Sequence, residues 1–482
     1  MHSGKVVGLV LGALLVALAV LMLVPALADL VAQRDDWTAF LLAAAITGFA
    51  GGGLMLAFST EDRDLGYRAT FMMTTLGWLG VSAFAALPFV FSRIGVSYTD
   101  AFFEAISGVT TTGATVFSGL DKMPPGILLW RALLQWIGGV GIIVTAVAIL
   151  PFLRVGGMQL FRTESSDRSE KVLPRPGQIA LAIAEVYLLL TLLCAVLYMF
   201  GGMTPFDAMT HAMTTLSTGG YSTHDASFGY FDNPWLSWVA VVFMIAGSLP
   251  LVVYIHMIRG EHDALWKDPQ VRGFLVFIVI AVLILTRSIW MDGHYDLLES
   301  LRHAAFNVVS IVTTTGYATT DYTMWSHFAV MFFFLLTFVG GCTGSTAGGI
   351  KIFRFQILGI LFRTQMRQTL YPHVAQTLRY GERTVDREIV FSVGLFIVLY
   401  FATVFGIALA LGALGIEFMT AISASATAVG NVGPGLGDIV GPSGNFATLP
   451  DAAKWLLSAG MLMGRLELLT VFIMFTKDYW QQ

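Results

Sequence analysis

Four short stretches of this 482-residue chain place small or polar residues before a glycine, and three of them are rich in hydroxyl side chains. They are Thr110-Thr-Thr-Gly113, Ser217-Thr-Gly-Gly220, Thr313-Thr-Thr-Gly316 and Asn431-Val-Gly433. Glycine permits backbone angles that aim a carbonyl away from a helix or strand ladder. Thr and Ser add a hydroxyl oxygen, an acceptor without charge. Four such turns around one axis make rings of neutral oxygens that can replace the water shell of a large monovalent cation. The residues singled out for that task are Thr111, Thr112, Gly113, Thr218, Gly219, Thr315, Gly316, Asn431, Val432 and Gly433. Gly113, Gly219, Gly316 and Gly433 are taken as equivalent points, although Gly430 also lies within reach of the fourth position. Any one of these strings is read more simply as a helix cap and turn. Four copies at the same place in a helix pair favour the ring.

The elements that must hold such turns can be read outward from them. Each turn follows a short apolar run, beginning near Asp100, Pro205, Leu301 and Phe418, too short to cross about 30 Å of hydrocarbon. Each run lies between longer apolar stretches, and the four turns recur roughly every 100 residues, room for helix, half-helix, return strand and helix. Irregular backbone survives at membrane depth only inside protein or along a wet cavity. Composition agrees: hydrophobic residues are 56% of the chain, charged residues 12%, and mean hydropathy is +0.75. A soluble domain carries about 25% charged residues. Val6–Ala28, Phe40–Phe58, Ile179–Phe200, Trp235–His256, Ile389–Leu411 and Trp455–Phe475 each read as a crossing, whereas Gly273–Leu285 and Phe328–Phe338 are shorter cores.

The expected fold is an all-α polytopic membrane protein with four helix–pore helix–helix repeats around a central pore, plus two extra N-terminal transmembrane helices. The expected boundaries are 1–67 for the N-terminal pair, then 68–160, 161–265, 266–387 and 388–482 for the repeats.

Charge gives the orientation. Arg154–Arg175, Arg259–Arg272 and Lys351–Arg387 are rich in Lys and Arg, whereas Gly201–Pro234 and Gly412–Asp451 contain none. Basic loops stay in the cytoplasm on insertion. With Lys5 and Lys477, this puts both termini inside. The opposite loops carry aspartates such as Asp100, Asp121, Asp207 and Asp225, which would concentrate cations at an outer mouth. The basic inner loops suit an acidic cytosolic regulator or anionic membrane lipid equally. No basic tract suited to nucleic acid is present, and Cys194 and Cys342 lie in apolar runs that do not suggest a disulfide framework. The N-terminal apolar run reads as a retained helix rather than a signal peptide.

A fifth string stands apart. Gly340-Gly-Cys-Thr-Gly-Ser-Thr-Ala-Gly-Gly349 interrupts an apolar helix running from Phe328 to Arg363. Gly, Ser and Thr at that density do not sustain a helix. The string is expected to form an intramembrane loop that blocks the pore, with Gly340, Gly341, Thr343, Gly344, Ser345, Thr346, Gly348, Gly349 and Lys351 as its gate residues. Close helix packing through small residues is the simpler alternative. Lys351 is expected to reach toward the cytoplasmic surface. Arg465, a charge within an apolar helix, is expected to act in the pore or gate, by repelling ions or by pairing with Glu467 or a carbonyl.

These strings resemble the Trk/Ktr/HKT superfamily of potassium transporters, and within it the bacterial TrkH/TrkG type. The resemblance covers essentially the whole chain, is most specific over Gly340–Arg354, and includes Gly464-Arg-Leu-Glu-Leu-Leu-Thr470. Asn431-Val-Gly-Pro fits the family pattern with Gly433 at the fourth filter position. The resemblance implies potassium as substrate, with rubidium possible and sodium less favoured. It implies no covalently bound cofactor, a homodimer, a bacterial inner-membrane location and a cytosolic TrkA-like nucleotide-binding regulatory subunit. A secondary transporter for another small cation is the nearest alternative, but such folds usually show two halves. No Gly-x-Ser-x-Gly or His-Glu-x-x-His string supports an enzyme, and the histidines are scattered singly.

Overall fold

The computed structural model describes residues 2–60, 67–149, 176–373, 377–381 and 383–481. The basic segment Arg154–Arg175 and the boundary at residue 160 lie outside the described residues.

The structure is helical, and its only strands among the described residues are two-residue pairs. Among the described residues, seven helices are long and apolar enough to cross a bilayer: Gly4–Val31, Trp37–Ala57, Arg68–Phe91, Pro125–Ile143, Gly177–Phe200, Pro269–Met291 and Arg387–Ala413. The core Gly273–Leu285 thus recruits flanking residues into a full crossing. Two expected crossings are broken instead. Trp235–His256 divides into Pro234–Ser248 and Leu251–Ile258, bent by 95°, and Trp455–Phe475 divides into Asp451–Arg465 and Leu469–Phe475, bent by 107°. Pro250 explains the first break, because it lacks an N–H and disfavours helix at the preceding residue. At the second, Glu467 adopts a left-handed φ of 60°. A third break is the Gly-rich string: the helix stops at Leu336 and resumes at Ile352.

The N-terminal pair packs through glycine. A methyl group on Gly12 would come within 2.7 Å of the Gly51 carbonyl oxygen, and one on Gly51 within 2.8 Å of the Gly12 oxygen. Only hydrogen allows the two backbones this approach. The buried Asp29 carboxylate then accepts a hydrogen bond from the Gly126 N–H at 2.6 Å, anchoring the pair to the first repeat.

Four short helices lie inside the bundle, Tyr98–Val109, Pro205–Leu216, Leu297–Val312 and Phe418–Gly430, here called pore helices 1 to 4. At 1.5 Å per residue, 12 to 16 residues span roughly 18–24 Å, less than a bilayer core. Each begins with an oxygen-bearing cap. Ser97 and Thr204 hydroxyls accept from the N–H three residues on at 3.1 Å, and Asp296 does so at 2.7 Å. Glu417 accepts from the Met419 and Thr420 N–H groups, and the Met419 bond leads in holding its carboxyl below the usual range.

Candidate functional site

All four pore helices end in the same way. The N–H of Thr111, Thr218, Thr314 and Asn431 bonds the carbonyl three residues back, and the N–H of Thr112, Gly219, Thr315 and Val432 bonds the carbonyl five back. That is a Schellman ending, in which the first of each pair takes the left-handed conformation normally given to glycine. Their φ values are 53°, 52°, 57° and 53°. Three β-branched threonines held there cost about 1–2 kcal/mol each, which marks the turns as strained. Two residues further on, Gly113, Gly220, Gly316 and Gly433 have φ of 84°, 79°, 85° and 107°.

This register corrects one expectation. Gly220, not Gly219, corresponds to Gly113, Gly316 and Gly433; Gly219 corresponds to Thr112, Thr315 and Val432. Two adjacent glycines hide the frame, and only the left-handed residue two places upstream reveals it. The same frame adds Thr314, which the sequence reading passed over, and settles the fourth turn, where Gly430 is the last residue of its helix.

The turns close on one another in a cycle. A methyl on Gly113 would overlap the Gly219 carbonyl oxygen, one on Gly220 the Thr315 oxygen, and one on Gly316 the Val432 oxygen. A methyl on Gly433 would lie 2.8 Å from the Thr112 oxygen. Each glycine therefore faces the preceding-position carbonyl of the next loop, and the fourth returns to the first. Gly113, Gly220, Gly316 and Gly433 together line a cavity of about 80 Å³, which Asp225 and His224 border.

Cross-braces hold the return strands. Ser107 and Ser310 hydroxyls donate to the Ala114 and Tyr317 carbonyls at 2.6 and 2.7 Å. Tyr221 and Tyr317, each next after a turn glycine, reach into the preceding repeat. The Tyr221 hydroxyl donates to the Glu104 carbonyl at 2.8 Å, and the Tyr317 hydroxyl shares a 2.5 Å hydrogen bond with Thr214. The equivalent positions in the other repeats are Ala114 and Pro434, and there Asn431 donates to the Thr112 hydroxyl at 2.9 Å. Gln135 clamps the second turn, donating to the Gly219 carbonyl at 2.7 Å and accepting from the Tyr221 N–H at 3.0 Å.

A buried ion pair backs this network. Arg131 Nε lies 2.8 Å from Glu104 Oε1, and its Nη1 donates to the Ser222 carbonyl at 2.8 Å. Glu104 also accepts from the Val116 N–H at 2.9 Å, so both charges are hydrogen-bonded in place. The sequence reading missed Arg131 and Gln135, although both are polar residues within the apolar run Pro125–Ile149. Beside the turns the His224 ring lies 2.5 Å from Asp121, whose carboxyl this hydrogen bond holds below its usual range. Asp225 accepts from the Gly119 and Leu120 N–H groups at 2.9 and 3.1 Å, joining the loops that follow the first and second turns.

The Gly-rich string forms a loop closed at its base by a parallel pair, Val339 with Ile350 and Gly340 with Lys351. It packs against the C-terminal ends of pore helices 2 and 3. Thr346 donates to the Leu216 and Gly247 carbonyls at 3.0 and 2.9 Å and lies 3.2 Å from the Thr218 hydroxyl. The Gly348 N–H donates to the Thr314 hydroxyl at 2.7 Å. Cys342 and Gly344 bond the broken second helix of repeat 2, through the Ser248 carbonyl and the Leu251 N–H. Ser345 donates to the Cys342 carbonyl, and the Thr343 N–H donates to Gln270. Gly341 and Gly349 flank the base pair, and Gly349 has a positive φ of 66°.

Arg465 reaches this loop from repeat 4, donating to the Thr346 carbonyl at 2.8 Å and to the Gly138 carbonyl at 3.4 Å. Of the two pairings expected for it, the carbonyl is the one made, and Glu467 pairs with Arg354. Lys351 does not extend to the surface: its ammonium bonds the Ala347 carbonyl within the loop.

Fold and site together define a membrane protein of the pore-loop class, in which four equivalent turns close on one another. The chain belongs to the TrkH family, whose model, described as a cation transport protein, matches residues 37–482. It is 48% identical to the Trk system potassium uptake protein TrkI of Halomonas elongata, over 98% of this chain and 96% of that protein. It is 36% identical to the TrkH protein of Salmonella typhimurium, over 98% of each. The crystal structure of the potassium transporter TrkH from Vibrio parahaemolyticus matches with a TM-score of 0.92 at 34% identity, covering 99% of each chain. The protein is a membrane transporter and not an enzyme.

Proposed function

We propose that the chain takes up potassium across a bacterial inner membrane, through the ring of Thr112, Gly219, Thr315 and Val432 carbonyls and the turns that carry them. The observation that carries this reading is the closed cycle of contacts among four equivalent loops. Neutral oxygens suit an ion that must leave as readily as it enters. The Asp225 carboxylate, which lines the outer cavity, favours cations over anions. The names of the relatives point to the same substrate.

In this reading the loop Gly340–Gly349 is the gate, tied to the turns through Thr218 and Thr314 and held by Arg465. The termini are cytoplasmic, and the chain works as a homodimer with a TrkA-like nucleotide-binding subunit on its basic inner face. The proposed repeat boundaries are those given by the sequence.

Rubidium uptake into proteoliposomes tests the substrate. Potassium should compete at concentrations about tenfold below sodium, a difference of ~1.4 kcal/mol; equal competition by both ions would remove the assignment. Deleting Gly344–Gly348 should raise uptake in the absence of any partner subunit. Unchanged uptake by that variant would reduce the loop to packing.

Tyr317→Phe tests the bracing. It keeps the ring but leaves the Thr214 hydroxyl without its 2.5 Å partner. Loss of one buried hydrogen bond, about 1 kcal/mol, should lower the potassium-to-sodium competition ratio roughly fivefold. An unchanged ratio would show that the tyrosine is only packed there.

A further inference from the structure

We propose that the groove between the inner end of the helix Ile352–Leu370 and the hairpin Arg379–Thr384 binds an anionic phospholipid. Arg363 and Arg367 sit one turn apart on that helix, and Arg379 faces them from the hairpin across a cavity of about 790 Å³. That volume is within the ~300–1,000 Å³ usual for ligand sites. The hairpin is fixed in place: the Tyr380 hydroxyl donates to Gln356 at 2.6 Å, and Tyr380 packs in one cluster with Phe353 and Ile357. Arg379 is thus held opposite the helix.

Like charges one turn apart oppose each other. Among the described residues, no salt bridge reaches any of the three guanidinium groups. Guanidinium forks match phosphate oxygens in pairs, so a phosphate relieves the repulsion and satisfies the donors together.

The neighbouring side chains identify the source of that phosphate. Phe362, Met366 and Leu370 follow one another at four-residue intervals, 65%, 47% and 72% exposed, beside the arginine row. Phe362 and Met366 line the same cavity. A soluble acidic protein or a free phosphate gains little from an apolar stripe. A phospholipid uses both, with its headgroup on the arginines and its acyl chains along the stripe. Anionic lipid is also what the basic side of a membrane protein meets in the cytoplasmic leaflet.

Native mass spectrometry of the full-length protein tests this, with phosphatidylglycerol and phosphatidylcholine of the same acyl chains as probes. Phosphatidylglycerol should be retained more strongly. Each Arg→Gln change at 363, 367 or 379 should weaken its retention roughly fivefold and leave phosphatidylcholine unaffected. Arg363→Lys with Arg367→Lys should restore most of the preference. Phe362→Ser with Leu370→Ser should weaken both lipids alike, which a headgroup-only site would not do. Equal retention of the two lipids by the unmodified protein would overturn the proposal. So would undiminished phosphatidylglycerol binding by the glutamine variants, which would assign the arginines to a protein partner. Complete displacement of the lipid by soluble glycerol phosphate at matched concentration would overturn it in favour of a free anion.

Discussion

Gly113→Ala is expected to cut rubidium uptake into proteoliposomes to about a hundredth of the unmodified level. The backbone there has φ of 84°, a conformation that a side chain makes unfavourable. The larger effect is geometric, because the new methyl occupies the place of the Gly219 carbonyl oxygen. Either the oxygen moves or the first turn does, and the Gly219 oxygen and the Thr112 carbonyl carried by that turn both belong to the proposed ring. A displacement of about 1 Å at a positioned site exacts losses of roughly a hundredfold. Because the four loops touch in sequence, Gly220→Ala and Gly316→Ala should behave alike. Gly52→Ala is the control: a methyl there meets nothing within 4 Å. Full activity in Gly113→Ala, with the protein still monodisperse, would mean that ions do not pass between these carbonyls.

The second large effect has the opposite sign. Arg465→Ala should raise uptake, by as much as a hundredfold. Two contributions act together. The guanidinium bonds the Thr346 carbonyl, so its loss frees the loop that packs against the turns. It also removes a positive charge near the proposed ion path. At an effective dielectric of about 20, a unit charge at about 6 Å raises a cation's energy by ~3 kcal/mol, close to a hundredfold in rate. Arg465→Lys separates the two contributions, since it keeps the charge and loses the planar fork. If Arg465→Ala leaves uptake unchanged or lowers it at equal expression and dispersity, the side chain is structural.

The membrane class, the four pore helices and the Gly-rich break were legible because each rests on a strong local signal. Apolar length announces a crossing, and glycine density announces the end of a helix. The Pro250 break was equally visible in principle, since Ser248-Leu-Pro250 interrupts its apolar run. The break after Arg465 was not: Leu466, Glu467 and Leu468 are all good helix formers, and only packing turns the chain there. Gly219 was set one place out of frame because a composition match cannot tell two adjacent glycines apart. What separates them is the five-residue hydrogen bond from Gly219 back to Thr214, a relation of geometry. Arg131 and Glu104 escaped notice for a different reason. They lie 27 positions apart on different helices, and nothing local to either says that they meet.

One asymmetry of the bundle has a mechanical meaning. Pro125–Ile149, which follows the first turn, is continuous, whereas its three counterparts are broken at Pro250, between Leu336 and Ile352, and near Glu467. Fourfold likeness therefore ends at the depth of the turns. In the proposed reading, the inner side of the conduit has one unbroken post and three jointed arms, and a joint can swing where a post cannot. On that reading, widening there would be lopsided by construction, with the arms drawing back from a wall that stays put.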